Sequence, residues 1–594
     1  MPMRVGSALA NAEPHRGSAA ESPATTLWTV GGGTMVAMLA LVLFFFHLGT
    51  YGLWEPDEAR YAEIAREMLA SHNFIIPHLN YVPYLEKPPL LYWLTAGSMK
   101  LFGVNEFAAR FVNGAAALIG VLATYFFALR TFDYRRAFVS GSVLATSALY
   151  ALMAQVLTTD LLLTAATSIA IFAFFLQSKD GGHWWLVCYF ALSAAVLTKG
   201  PVGAALPLIT AAAFLWFEGE WRGAIQRFHV VEGLAIAAVI TLPWFIAVTI
   251  QEPSFFKFYF VGEHLRRFFE PGYSHGEPIY YYIPVIAGGF LPWSLGLLVV
   301  PWRRLEPNSA RRFCLIAVAT VFLLFSLASS KLVPYILPAF PFLALLAADG
   351  LMTFAEVDSH SNNTVQFAQD KKTAQSDPRR LSFITIMLAL AGAAVVAVAS
   401  DPGRFKSPYV GILQSVLYVA GATVVLSAIV CSAAFWTRHF EVGIAVLIGG
   451  AAVTLMIMSY GRIILEPTRS YATLGRGIER LAPSARLICY PRFIESLPFY
   501  CRRRVILVGA KTELAYGAKH APDASSFFFT RRDDLVRLWE EPQQSVLVID
   551  RGALGQVQDL LGKYRVITSD SRKLALTQRS KIRDAAESGA ARSR

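Results

Sequence analysis

Long apolar runs, each about the length of a membrane-crossing helix, alternate with short charged loops along most of this chain. Runs bounded by charge or by Pro and Gly fall near residues 27–50, 111–129, 137–157, 161–177, 184–198, 202–217, 230–250, 279–301, 313–328, 332–349, 382–400, 410–436 and 442–459. A hydrocarbon core of about 30 Å needs about 20 apolar residues per helix, so the pattern predicts about thirteen transmembrane helices. The run from Pro88 to Phe102 is shorter and is interrupted by Lys100. It suits an interfacial or re-entrant helix better than a span. Counting it as a span would invert everything that follows.

Charge arbitrates the orientation. With the N-terminus inside, alternate loops carry Arg130, Arg135 and Arg136, then Lys179, then Arg222 and Arg227, then Arg303, Arg304, Arg311 and Arg312, then Lys371, Lys372, Arg379 and Arg380, then Arg438. This is the basic bias expected of cytoplasmic loops. The opposite face then holds the long loop 51–110, the stretch 251–278 and everything after about 461. After Ser459, short strand-like runs (Ala485 to Cys489, Val505 to Val508, Ser545 to Ile549, Tyr564 to Ile567) alternate with helix-like ones such as Arg531 to Glu541, which predicts a small α/β domain. The expected organisation is a disordered cytoplasmic N-terminus (1–25), a transmembrane domain (26–460), an outward-facing α/β domain (461–580) and a disordered tail (581–594). A polar linker is expected over 351–380.

Composition agrees with lipid as the main solvent. The 594 residues are 55% hydrophobic and 16% charged, with a mean hydropathy of +0.46. The net charge of +12 follows from topology-setting Lys and Arg and needs no nucleic acid to explain it. Of five cysteines, Cys188, Cys314 and Cys431 sit in apolar runs. Cys489 and Cys501 fall in the polar C-terminal region, where a disulfide and two free thiols are equally open.

Chemistry concentrates on the outer face. The first loop opens Trp54-Glu55-Pro56-Asp57-Glu58-Ala59-Arg60-Tyr61, and from Pro56 onward its apolar positions Tyr61, Ile64, Ala65, Met68 and Leu69 predict an amphipathic helix along the membrane surface. Asp57 and Glu58 read equally well as N-terminal capping carboxylates and as catalytic ones. The same loop continues Tyr84-Leu85-Glu86-Lys87-Pro88, and other outer loops supply Asp160, Lys199-Gly200-Pro201, His264 with Arg266 and Arg267, and Lys331 to Tyr335. Ionisable groups at membrane depth are functional candidates by default. Lys87, Lys199, Arg266, Arg267 and Lys331 beside apolar helices suit a lipid phosphate; the competing reading is a set of snorkelling interfacial cations. Glu86 and His264 are of the right types to share a divalent, zinc-like metal.

The run Trp54 to Leu69 followed by Tyr84 to Pro88 resembles the first periplasmic loop of bacterial aminoarabinose transferases of the ArnT type. These are relatives of protein O-mannosyltransferases among the C-type membrane glycosyltransferases. The resemblance is dense over about residues 50–115 and thins to landmarks at Asp160, Lys199, the His264 to Arg267 stretch and Lys331 to Tyr335. It implies a bundle of thirteen helices with periplasmic juxtamembrane helices and a C-terminal periplasmic domain in the inner membrane. It further implies inverting transfer of a sugar from undecaprenyl phosphate to a lipid A phosphate, with no required cofactor. By the same matching, Asp57 is the principal catalytic carboxylate and Asp160 its partner near the sugar. Tyr84, Lys87, one of Arg266 and Arg267, and Tyr335 hold the donor phosphate, Glu86 and His264 match a metal-binding pair, and Glu58, Arg60, Tyr61 and Lys331 support the site. The run Lys87-Pro88-Pro89-Leu90-Leu91-Tyr92-Trp93 departs from the family pattern, which has smaller residues there. Acceptors other than lipid A, protein hydroxyls among them, and a transporter of lipid-linked sugars are the competing readings. The sequence has no internal repeat of the kind transporters show.

Overall fold

In the computed structural model, which describes residues 23–266, 276–300, 308–363, 378–401 and 410–578, apolar helices account for the thirteen runs. Among these residues eight helices are each long and apolar enough to cross a membrane, from Glu106–Thr131 to Phe440–Arg469. The pair Tyr134–Ala145 and Ala148–Ala154 covers the expected run 137–157 but is bent by 64° at its break. Val30–Phe45, Trp184–Lys199 and Phe383–Ala399 are shorter apolar helices. The run expected at 279–301 is broken into Tyr282–Gly289 and Trp293–Val299. The termini expected to be disordered lie almost wholly outside the described residues, although helix already begins at Pro23. The linker expected over 351–380 is helical as far as Asn363, and the last membrane helix continues past residue 459 to Arg469. In both places helical hydrogen bonding carries the chain beyond the point where apolarity ends.

Leu90–Phe102 has 13 residues. At 1.5 Å per residue that is about 20 Å, too short to cross the hydrocarbon.

Ion pairs tie the basic loops to one end of the bundle. Arg136 binds Asp349 (3.0 Å) and Glu356 (2.8 Å), Arg311 binds the same Asp349 (2.6 Å), Arg312 binds Glu218 (2.8 Å) and Arg130 binds Asp180 (2.7 Å). Loops far apart in sequence therefore meet on the face assigned to the cytoplasm by charge. Arg303, Arg304, Lys371 and Lys372 lie outside the described residues.

At the other end sits the α/β domain. Strands β1 (His78–Leu79) and β2 (Val82–Pro83) form a small hairpin in the first loop. The domain itself is built on β3 (Arg486–Tyr490), β4 (Val505–Val508), β5 (Phe528–Phe529), β6 (Ser545–Asp550), β7 (Tyr564–Ser569) and β8 (Lys573–Gln578), in the order β5-β4-β3-β6-β8-β7. The β5-β4-β3-β6 part is parallel and buried by helices on its faces, whereas β8 runs antiparallel to both β6 and β7. Cys489 on β3 and Cys501 are both buried free thiols. Burial pushes the Cys501 thiol up to about 12.

The helix Asp57–Ser71 does not lie on an open surface as its pattern suggests. Nearly all of it from Glu58 to Met68 is buried, with its apolar face packed into a core shared by Leu91, Tyr92, Leu474, Leu497 and Leu514. Its polar face tolerates burial because Arg66 donates two hydrogen bonds to Glu63 (2.6 and 2.7 Å), a helical i,i+3 pair, and Glu67 accepts one from the Tyr81 amide (2.9 Å).

Candidate active site

Glu58 and Arg110 fix the frame of the site. The Arg110 guanidinium donates to both Glu58 oxygens (2.8 Å each), to the carbonyls of Leu48, Tyr51 and Gly52, and lies 3.8 Å from the Tyr51 ring centre. Glu58 also accepts the amides of Trp54 (2.9 Å) and Leu157 (3.0 Å). Burial opposes its charge, but Arg110 and these donors outweigh that and hold its carboxyl below the ordinary value. Glu58 is thus a spent group that locks the start of the Asp57–Ser71 helix against Glu106–Thr131 and the entry to the Asp160 helix.

Its neighbour Asp57 is different. The Asp57 side chain is 53% exposed, and its nearest cation is Arg60, one helical turn on, at 3.4 Å. Tyr61, within electrostatic reach of both Asp57 and Asp160, has its phenol held up by burial first and by Asp57 next, so it stays protonated. Tyr84 is likewise kept protonated by burial and by Glu86, to which its hydroxyl donates at 2.9 Å.

Asp160 and Lys199 meet because two helices form a hairpin. Thr159–Asp180 and Trp184–Lys199 are separated by a three-residue turn, so the first turn of one lies beside the last turn of the other. Asp160 then sits at a helix N-terminus and Lys199 at a helix C-terminus, each on the favourable end of its dipole. Lys199 is stopped there by Gly200, whose φ of +66° a side chain would resist, and by Pro201 opening the next helix. Lys199 Nζ donates to Asp160 Oδ1 at 2.6 Å and lies 4.0 Å from the Tyr335 ring centre. Tyr282, whose hydroxyl donates to the Leu332 carbonyl at 3.2 Å, adds a second phenol within reach of Tyr335 and Asp160. It was not singled out in the sequence, because a Tyr in a Tyr-rich apolar run carries no distinguishing signal.

Lys331 turns away from this cluster. It donates to the carbonyls of Ala328 (2.7 Å) and Glu277 (2.9 Å), closing the end of Ser309–Leu327. It supports the loop that bears Tyr335. Arg266 is exposed at the end of the helix Lys257–Arg266. Arg267 and the His264 side chain lie outside the described residues.

Glu86 is pushed above its ordinary value by burial and by the charge of Glu263, against the pull of Lys87 and Arg60. A cation bound there would relieve both effects, so the residue fits one side of a metal pair. Among the described residues no cluster of three or more His, Cys, Asp or Glu is disposed to hold a metal ion.

The C-terminal domain closes over the first loop through hydrogen bonds of Asn80, Glu55 and Tyr500. Asn80, at φ +54°, uses its amide to bond both the Val505 carbonyl (2.9 Å) and the Val505 amide (2.8 Å) at the start of β4. Glu55 accepts the amides of Glu495 (3.1 Å) and Ser496 (2.8 Å) at the start of the helix Ser496–Cys501. Tyr500 accepts from the Leu53 amide (2.8 Å) and donates to Glu106 (3.0 Å).

Residues 86–246 match the family described as dolichyl-phosphate-mannose-protein mannosyltransferase, and residues 477–578 match the aminoarabinose transferase C-terminal domain. The fold is similar to the crystal structure of ArnT from Cupriavidus metallidurans bound to undecaprenyl phosphate. The TM-score is 0.81 at 26% identity, over 93% of this chain and 99% of that one. The chain is thus similar to ArnT-type membrane glycosyltransferases over most of its length. Among curated relatives, the undecaprenyl phosphate-alpha-4-amino-4-deoxy-L-arabinose arabinosyl transferase of Erwinia tasmaniensis is 33% identical over 53% of this chain. Its counterpart in an Enterobacter species is 34% identical over 52%. The alignments span 58% and 57% of those relatives' lengths. The eight long apolar helices among the described residues are those of a multi-pass membrane protein.

Proposed function

We propose that this chain is an inverting glycosyltransferase that moves an aminoarabinose-like sugar from undecaprenyl phosphate to a phosphate of lipid A. The observation that carries the reading is the Asp160–Lys199–Tyr335 cluster, set at one membrane face beside a half-exposed Asp57. The likeness to the undecaprenyl phosphate-bound ArnT structure and to the aminoarabinosyl transferases supports the choice of donor and sugar.

In this reaction an acceptor phosphate oxygen forms the new bond to the sugar's anomeric carbon. The bond from that carbon to the donor oxygen breaks on the opposite face, and its electron pair leaves on undecaprenyl phosphate. Charge therefore builds on the leaving phosphate, and the protein's main task is to meet it with fixed positive charge. Lys199, which gives its proton to Asp160 as a hydrogen bond at rest, has the reach to share it with a donor oxygen. Lys87, Arg266 or Arg267 and the hydroxyls of Tyr84 and Tyr335 complete that set. Asp160 faces the sugar and Lys199 together. An anionic acceptor needs no strong base, so Asp57 either orients it or steadies positive charge at the anomeric carbon. Glu86 and His264 are the pair that would hold a divalent ion, whose chemistry would be added charge neutralisation at a phosphate oxygen.

The deciding experiment is mass spectrometry of lipid A from cells with and without the gene, paired with the purified protein and its lipid-linked donor. A sugar-sized increment on lipid A that disappears on deletion is expected. Unchanged lipid A together with glycosylated protein would move the acceptor to protein hydroxyls, and donor translocation without transfer would make the chain a transporter.

A further inference from the structure

Arg60 is 6% exposed and has three carboxylates around it: Glu513 at 3.0 Å, Asp57 at 3.4 Å and Glu495 at 3.9 Å. The closest of the three is not in the membrane domain. Glu513 stands on the short turn Thr512–Leu514 of the C-terminal domain, more than 450 residues along the chain from Arg60. The two ends of the guanidinium fork are divided between segments, with Nη1 toward Asp57 and Nη2 toward Glu513. Because that fork is planar and rigid, whatever fixes Nη2 also fixes the approach of Nη1 to Asp57.

The turn bearing Glu513 is itself anchored on both sides. Leu514 is buried in the core that contains the Asp57–Ser71 helix. Two residues on, the Tyr516 hydroxyl shares a 2.7 Å hydrogen bond with Ser254, and its ring lies 4.2 Å from that of Phe258, both in the outer stretch 251–278. Burial works against the Glu513 charge, but Arg60 and hydrogen bonds from Thr512 and its own backbone overcome it and keep the carboxyl ionised.

We propose that Glu513 is a positioning residue: it holds Arg60 between itself and Asp57, so that Asp57 keeps a carboxylate oxygen available to the substrate. This rests on the transferase reading of the site. Without Glu513 the buried guanidinium keeps Asp57 at 3.4 Å and Glu495 at 3.9 Å, and a fork-to-carboxylate pairing would close on Asp57, the nearer of the two. The C-terminal domain thereby becomes part of the active site rather than an appendage to it.

The test uses the full chain in lipid, with undecaprenyl-phosphate aminoarabinose as donor and lipid A as acceptor. Glu513→Gln is expected to lower kcat about 10-fold or more while leaving donor KM within about 2-fold, as for a misoriented catalytic group. Glu513→Asp, which restores the charge on a shorter arm, is expected to recover part of the loss. Glu479→Gln, which removes a different ion pair of the same domain, with Arg503, is expected to leave kcat unchanged. Glu513 is one-third exposed, so Gln there buries no unpaired group; Glu513→Ala is a second variant with the same expectations. Wild-type kcat in Glu513→Gln, a loss that falls on donor KM instead, or an equal loss in Glu479→Gln would overturn the proposal. Hydrogen exchange across residues 54–66 gives a readout independent of turnover. It should quicken in Glu513→Gln and not in Glu479→Gln. Should the wild-type chain transfer no sugar at all, the transferase reading fails, and unchanged exchange would separately sink the positioning role.

Discussion

Asp57 and Glu58 share a peptide bond, yet one faces water and the other is wrapped by four donors from Arg110, Trp54 and Leu157. A carboxylate with all its lone pairs engaged is a structural tie, and one with open oxygens is available for chemistry. Asp57→Asn should therefore abolish most sugar transfer at unchanged thermal stability, and near wild-type turnover with purified donor would remove Asp57 from the mechanism. Lys199 is held by Asp160 and by the face of Tyr335. Lys199→Met should cost transfer about 100-fold or more, since a lost charge-stabilising donor at a developing anion costs that order. Lys199→Arg keeps the charge and should retain more activity, measured as kcat on the same donor. If the two variants were equally active, phosphate stabilisation by this residue would be refuted.

On the scale of helices, the Glu58–Arg110 pair joins the Asp57 helix to Glu106–Thr131 in a setting where both side chains are almost fully buried. Removing one partner leaves a buried charge, so Glu58→Ala should destabilise the protein by about 3–5 kcal/mol. Replacing both with apolar residues of similar size should cost less, because no charge is then stranded. Thermal unfolding of the two variants in detergent checks this, and a double variant less stable than Glu58→Ala would contradict it. The helix pattern at 57–71 was legible in the sequence, including its apolar face. Its burial was not, because amphipathic spacing identifies the side that packs and is silent about what covers the other. Only the fold brings the C-terminal domain onto the polar side, where the internal Glu63–Arg66 pair makes the cover tolerable.

Across the whole molecule, the α/β domain and the first loop are coupled through carboxyl groups at their interface. Glu495 is held well above its ordinary value of 4.5 by burial first and by Glu55 next, with Glu513 adding to it and Arg60 opposing. A carboxyl whose pKa is raised by folding favours the folded arrangement most where it is protonated. The contribution of Glu495 to the docked interface is thus fully present below about 4.5 and is lost as pH climbs through the raised value. The melting temperature of the wild-type chain should fall over that rise, and Glu495→Gln, which stays neutral, should flatten the dependence. Parallel curves for the two proteins would show that this carboxyl does not report on docking.

The sequence by itself determined the apolar runs, the basic face and the alternating strand and helix signals of the α/β domain, because hydrophobic periodicity and charge bias are local properties set by lipid and water. It also exposed Asp57, Asp160, Lys199 and Tyr335 as ionisable or phenolic groups placed where membrane helices rarely carry them. Tertiary structure alone decided which of these meet: the hairpin that brings Asp160 to Lys199, the turn that withdraws Lys331 to backbone carbonyls, and the reach of Glu513 across the chain to Arg60. Such pairings depend on which helix ends come together, and no single stretch of sequence records that. The motif Trp54 to Glu58 shows the division most plainly. Its residues announced chemistry, while burial of one carboxylate and exposure of the next, fixed by neighbours far along the chain, decided where that chemistry can occur.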